Sequence, residues 1–516
     1  MDPQAMAQET EVPLFLPASV SRDTKEPQRP ERVHHQTEID VQFGALLRPA
    51  DLQRGEILDL HTGFSSKGRQ FVSQGNRFSL NLFNGIHQVL VLDSAENAGP
   101  DGETISWKGS IEGIQHSEVT MVSGNDILQG NIFIPGQGHF HIRYQPGGGH
   151  VLRKVDQSGY PPERCSHLPE EPVSEPEQSE GDAPGTGGET GGDIPPVLRY
   201  DETGSNIDVM VVYSPGARAA VGGTVAIHAL IDLAVAETNT GYSNSGVVQR
   251  ITLVHREEVA YDEATATYGS YTDPFDIALY CLKDPSDGII DNVHDLRDDY
   301  GADMVSLLIN DHTWCGIGYV MYTESHDFQD RAFSVCDWDC ATGYYSFAHE
   351  MGHNQGGKHD RPHDNANGVF SYSHGYQDPD EDFRTIMSYN CPGGCTRVNH
   401  WSNPDVEYLN FGPTGILYTE SDSADMRRSH NNTRDTVANW RPKYIHVDLN
   451  YSGVENGLSA TPFNTLSEGV GKIGRFYTGA RLYVAPGIYT GPGNEPILID
   501  KPMEIRPWGS GTIEIR

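Results

Sequence analysis

Basic residues are scarce in this chain. Lys and Arg total 36 against 72 Asp and Glu, a formal net charge of −36 over 516 residues. That balance argues against nucleic acid and against anionic membrane surfaces, both of which select a cationic face. Long apolar runs are missing too: none reaches the roughly 18 residues that span a bilayer. Met1–Ala7 is too short and polar for the apolar core of a signal peptide, although Ala5-Met6-Ala7 resembles the end of a cleavage site. No Ser or Cys nucleophile motif stands out, which turns attention away from covalent catalysis. The cysteines lack paired C-x-x-C knuckles, and no EF-hand loop is present. The apolar share is 36%, and 56 residues are Gly, a balance that favours β-rich, loop-rich folds. The length implies about three domains.

What the chain has is His349-Glu350-Met351-Gly352-His353-Asn354-Gln355-Gly356-Gly357-Lys358-His359-Asp360. His349 and His353 are four apart, so a helix stacks them on one face. Two imidazoles there can grip one zinc ion at about 2.0–2.1 Å. Gly356 can take a left-handed conformation, end the helix and return the chain so that His359 supplies a third ligand. The fourth position stays open for water, the mark of a catalytic site. Glu350 lies too near the first ligand to share its metal. It is placed to take a proton from a water whose pKa zinc lowers toward about 7.

The string H-E-x-x-H-x-x-G-x-x-H, with Thr385-Ile386-Met387-Ser388-Tyr389 further on, is the metzincin signature and its methionine turn. Asp360 after the third His resembles the reprolysin (adamalysin-like) branch. Tyr345-Ser346-Phe347-Ala348 and His400-Trp401-Ser402-Asn403-Pro404 agree with that branch, and Ile207–Tyr213 is similar to the first strand of its secreted bacterial members. The resemblance covers about residues 197–442. It implies a secreted zinc endopeptidase that acts on protein or peptide substrates bound along a sheet edge. It implies that Asp360 anchors the turn below the site and that Met387 floors the histidines by packing. Met387-Ser388-Tyr389 departs toward the astacin and serralysin turn, where the Tyr ligates zinc or donates to the transition state. Tyr389 is therefore read either in that role or as a packed turn residue.

Seven cysteines are present: Cys165, Cys281, Cys315, Cys336, Cys340, Cys391 and Cys395. The six from Cys281 onward bracket the motif and imply three disulfides and an oxidising compartment. Cys391 and Cys395 can close a small loop. Cys165 is the odd one, and a thiolate there could fill the open zinc position as an inhibitory switch. A free thiol, or a disulfide with one of the six, is the alternative. Acidic runs at Asp295–Asp303 and Asp378–Asp382 offer oxygen ligands to calcium, or are solvated loops.

The expected organisation is multidomain. Residues 1–35 read as disordered, and 36–165 as an antiparallel β domain from runs such as Gln88–Leu92 and His139–Ile142; it resembles the pro-region of secreted reprolysin-like enzymes, with a carbohydrate- or partner-binding β module as the alternative. Residues 166–196 read as an acidic Pro/Gly linker suited to processing. Residues 197–442 read as the α/β catalytic domain, and 443–516 as a β-helix-like segment. That tail is expected to be marginal, either truncated or docked on the protease domain. The rival functions are a non-proteolytic binding protein and a carbohydrate-active protein on a metzincin-like fold. Loss of a His or of Glu350 would favour the first, and paired carboxylates in a cleft the second.

Overall fold

Strands at Arg77–Asn81, His87–Ala98, Thr104–Ile111, Glu118–Gly124, Ile127–Ile134, Gly138–Tyr144 and His150–Val155 pair each with the next, all antiparallel. The computed structural model describes residues 80, 82, 88–125, 127–145, 150–161, 163 and 201–516, and the backbone alone of 12–13, 16–17, 35–42, 77–79, 81, 87 and 164–165, so the Cys165 side chain lies outside the described residues. Segments 12–13, 16–17 and 35–42 join the same ten-stranded sheet. Val12–Pro13 and Leu16–Pro17 thus lie in strands, inside a stretch the sequence reads as disordered. The rest of 1–35, and the linker 166–196, lie outside the described residues. Leu90, Leu92, Trp107, Val119, Leu128, Ile132, Phe140, Ile142 and Leu152 alternate onto one face and form its core.

A second sheet carries the functional half of the chain. Its strands are β1 (Arg164–Cys165), β2 (Asn206–Tyr213), β3 (Arg250–Glu258), β4 (Met304–Ile309), β5 (Gly316–Gly318) and β6 (Phe333–Asp337), in the order β1-β5-β6-β4-β2-β3. All neighbours run parallel except β5 with β6. Helices cover both faces, so β4 is buried throughout and is apolar at every position but Ser306. Val209, Val211 and Tyr213 of β2 enter one core, while Met210 and Val212 enter the other.

Helix α1 spans Pro215–Val221, and α2 spans Thr224–Asn244. Thirteen of the 21 residues of α2 are buried, because it is sandwiched: the second sheet lies on one side and Glu118–Gly124 and Ile127–Ile134 on the other. Val122 and Ile127 share a core with Ile227, Leu230 and Leu233. Then come α3 (Pro274–Lys283), α4 (Asn292–Tyr300), α5 (Ser346–Asn354) and α6 (Met426–Val437). Helix α3 went unread in the sequence, although Asp273 caps it and Pro274 opens its first turn. Among the described residues no single helix is long and apolar enough to cross a membrane.

The cysteines correct one expectation. Two disulfides form, Cys315–Cys340 and Cys391–Cys395, while Cys281 and Cys336 are free and buried. The third bridge is precluded by the sheet: Cys336 of β6 points into the α2 core, and Cys281 of α3 packs in the core on the other face. The calcium reading also finds no support among the described residues. There the only group of three His, Cys, Asp or Glu close enough to share an ion is the histidine cluster, not an acidic run.

The C-terminal part pairs Tyr444–Val447, Arg481–Val484 and Glu504–Pro507 in parallel, and Gly487–Tyr489 with Ile513–Ile515. Helix α7 (Leu466–Lys472) starts with a reciprocal capping box, Thr465 with Glu468. This part docks beside α4, where Phe476 stacks on Tyr300 and its N–H donates to Asp299 O at 2.8 Å.

Candidate active site

Helix α5 lifts His349, Glu350 and His353 against the β5–β6 edge, and all three are buried. The helix stops where Gly356 takes φ +93°; there a Cβ would sit 2.4 Å from Val369. The chain then turns back and delivers His359. His349 Nε2 lies 3.1 Å, and His353 Nε2 3.2 Å, from His359 Nε2. Donors about 2.0–2.1 Å from a zinc ion lie about 3.3–3.4 Å apart in a tetrahedron, so these nitrogens hold nearly that spacing. His349 Nδ1 donates to Ile386 O and His353 Nδ1 to Gly357 O, each at 2.8 Å. A carbonyl only accepts, so the tautomer with the proton on Nδ1 suits both contacts and leaves each Nε2 lone pair free; at His349 the one donor set against it is Arg397 Nη2, 2.9 Å from Nδ1. Burial first, then the neighbouring cations or imidazoles, holds all three rings below the ordinary His range, His353 at about 4. Neutral, buried, convergent nitrogens are the donor set a zinc ion takes.

Glu350 is fully buried, and neither carboxylate oxygen has a hydrogen-bond partner among the described residues. Burial, and then repulsion from Glu163, holds its carboxyl well above the ordinary carboxylate range. Gly316 and Gly318 on β5 make the room. A Cβ at Gly316 would lie 2.5 Å from Glu350 Oε1, and one at Gly318 3.1 Å from Oε2.

Below the histidines, Met387 is fully buried, with its sulfur against Gly352 of α5. Asp360 Oδ2 accepts from Tyr389 N–H at 2.8 Å and Oδ1 contacts His363 Nδ1 at 2.6 Å. The Tyr389 ring lies 4.1 Å from that of His359, and its hydroxyl donates to Glu163 O at 3.1 Å.

Sequence reading missed the two arginines beneath the site. Phe383–Arg384 and Thr396–Arg397 pair in parallel and set Arg384 opposite Arg397, both buried. Arg397 forms a two-pronged pair with Glu163. It also donates to Tyr344 O and to Ile386 O, the carbonyl that holds His349. Burial would push the Arg397 guanidinium down, but the Glu163 carboxylate outweighs it. The only signal in the sequence was two basic residues flanking the methionine turn and the Cys391–Cys395 loop, in a chain poor in basic residues. Glu163 itself comes from the segment before Cys165. The backbone of β1 pairs Arg164 with Ile317 and Cys165 with Gly318, so this segment lies along the edge beside Glu350.

A parallel-sheet core, a crossing helix with two histidines and a returning third define a metallopeptidase. Residues 203–402 match the family model Reprolysin_5, Metallo-peptidase family M12. The chain is 36% identical over 332 residues to the Peptidyl-Asp metalloendopeptidase of Stenotrophomonas maltophilia strain R551-3, covering 63% of this chain and 71% of that protein. It is 33% identical to that of Xanthomonas campestris pv. campestris, covering 62% and 69%. The Pseudomonas aeruginosa protein of the same name is 29% identical over 47% of this chain and 42% of its own length. This chain belongs to the reprolysin-like M12 metallopeptidases and is a zinc metalloendopeptidase. The rival binding and carbohydrate-active readings are not favoured.

Proposed function

We propose that this chain is a secreted zymogen that cleaves peptide bonds next to aspartate, with His349, His353 and His359 as zinc ligands and Glu350 as general base. The observation that carries the reading is the convergence of three neutral imidazole nitrogens beside a buried carboxylate that has no hydrogen-bond partner among the described residues. Zinc, when bound, supplies Lewis-acid polarisation of the carbonyl and a lowered water pKa. Glu350, kept basic by burial, takes the proton of the attacking water and returns it to the leaving amine. Tyr389, whose hydroxyl already donates to a peptide carbonyl, is suited to donate to the substrate carbonyl as charge develops there. A substrate main chain takes the edge of β5 that β1 occupies in the uncut chain. Asp360 and Met387 support the turn and the floor. The aspartate preference is taken from the name of the relatives.

In this reading residues 36–165 are the pro-region, 166–196 the processing linker, 197–442 the catalytic domain and 443–516 the start of a parallel β coil. Cys165 is the inhibitory thiolate; its backbone partner, Gly318, abuts Glu350. Acidity and two disulfides favour an extracellular setting. The test compares wild type with Glu350→Ala for zinc content and for digestion of a denatured protein. The variant should keep about one zinc and lose on the order of 10³-fold or more of turnover. Full proteolysis by Glu350→Ala rules the assignment out, and His→Ala at any of the three should lose the metal.

A further inference from the structure

Glu163 is an acidic residue in a place where an acid is costly. Its side chain is 2% exposed, under the same roof as the histidine cluster and Glu350. What holds it is a fitted receptor. Arg397 grips both carboxylate oxygens with its fork, and Ser346 Oγ donates to Oε1 at 2.9 Å. The guanidinium is oriented before any carboxylate arrives. Tyr344 O at 3.0 Å and Ile386 O accept its remaining Nη protons, and the Tyr344 ring lies 4.9 Å from its central carbon. A second cation, Arg384, is tied to Tyr344 Oη at 3.1 Å and to Ser388 O.

The segment that brings Glu163 here lies where a substrate would. Its next two residues pair along β5 beside Glu350, and its own carbonyl accepts from Tyr389. If this segment leaves after processing, Arg397 remains buried with its anion gone. A buried unpaired cation is expensive, so the site then selects a ligand that returns a carboxylate. Arg397 Nη2 lies 2.9 Å from His349 Nδ1, so that carboxylate would belong to a residue flanking the bond being cut.

We infer that Arg397, with Ser346, is the acid receptor of the substrate site, and that Glu163 occupies it as a built-in substrate side chain. This rests on the aspartate-directed endopeptidase reading above and names the residue behind it. It also gives the pro-region a lock that does not depend on Cys165.

The test uses the full chain, opened within 166–196, and paired peptides with Asp or Asn at either flank of the cleaved bond. Wild type should prefer the Asp member by at least about 100-fold in kcat/KM, since a site built to pair a group rejects the analogue lacking it. Arg397→Met and Arg397→Lys should each lose most of that ratio, the Lys variant because it keeps charge but not the fork. A ratio unchanged in either folded variant overturns the inference. Equal cleavage of Asp and Asn peptides by wild type would instead sink the aspartate reading. A second arm needs no turnover. In the uncut, metal-free chain, Glu163→Gln should raise amide hydrogen exchange across 163–165 by about tenfold or more. Unchanged exchange there shows that Glu163 is no lock and removes that half of the inference.

Discussion

At the residue scale the site is a problem of room around one carboxylate. In the proposed mechanism Glu350 owes its basicity to being sealed off, yet it must swing between water and leaving group. The space for that swing comes from Gly316, where a side chain of even one carbon would press on Glu350 Oε1 at 2.5 Å and on Cγ at 2.8 Å. Gly316→Ala should therefore push the base aside without touching a histidine. A displacement of about 1 Å commonly costs on the order of 10²-fold in rate, so kcat should fall by about that much. Zinc content and melting temperature should stay near wild type, because the Gly316 backbone is an ordinary strand. Wild-type kcat in Gly316→Ala would show that the carboxylate has slack the distances do not allow.

At the element scale the decisive piece is the two-residue strand β1. It extends the catalytic sheet by running parallel to β5, and it carries the Cys165 backbone to the position opposite Gly318. On the proposed switch, Cys165→Ala in the uncut chain removes the inhibitory thiolate but leaves the Glu163–Arg397 pair. Basal hydrolysis of a short peptide should rise by roughly tenfold or more, about 1.4 kcal/mol of lost inhibition, yet stay below that of the processed enzyme. No change in latency, or a disulfide mapped to Cys165, would remove the switch. The sequence could not show β1, because two residues have no periodicity to read. It did show what obeys local rules: the turn at Gly356 and the histidine spacing on α5. It was silent on Arg397 and Glu163, 234 positions apart in the chain, since their meeting depends on how the N-terminal segment folds back. The extra disulfide was misread for a related reason: counting cysteines ignores which face of a strand each one takes.

At the scale of the whole molecule, the N-terminal sheet, the proposed pro-region, and the catalytic domain share α2 as a common core. The polar pairs across it are largely acids. Thr104 Oγ1 donates to Asp232 at 2.5 Å, Asn131 Nδ2 to Glu237 at 2.7 Å, and Asn399 and Asn244 to Glu118. Gly343 N–H also donates to Glu237, with Glu118 and Arg143 as its charged neighbours. Burial pushes Glu237 up to about 8 and Asp232 up to about 6, and raises Glu118. An acid with a raised pKa in the docked state favours docking fully only below its free pKa. The advantage is lost as pH climbs through the docked value. His139 and His150, lowered by burial to about 3 and about 4, work the other way and cost docking only as pH falls below about 6.5. Above that pH they are silent and Asp232 has largely titrated, so Glu237, helped by Glu118, governs. In a chain cut within 166–196, the pro-region should bind more weakly as pH rises from 6.5 to 8, by up to about tenfold per pH unit. Glu237→Gln, which stays neutral and keeps a partner for Asn131, should flatten most of that slope. Measuring pro-region dissociation across this range for both proteins decides the matter: a flat wild-type profile, or an equal slope in Glu237→Gln, would mean that Glu237 is already ionised in the docked state.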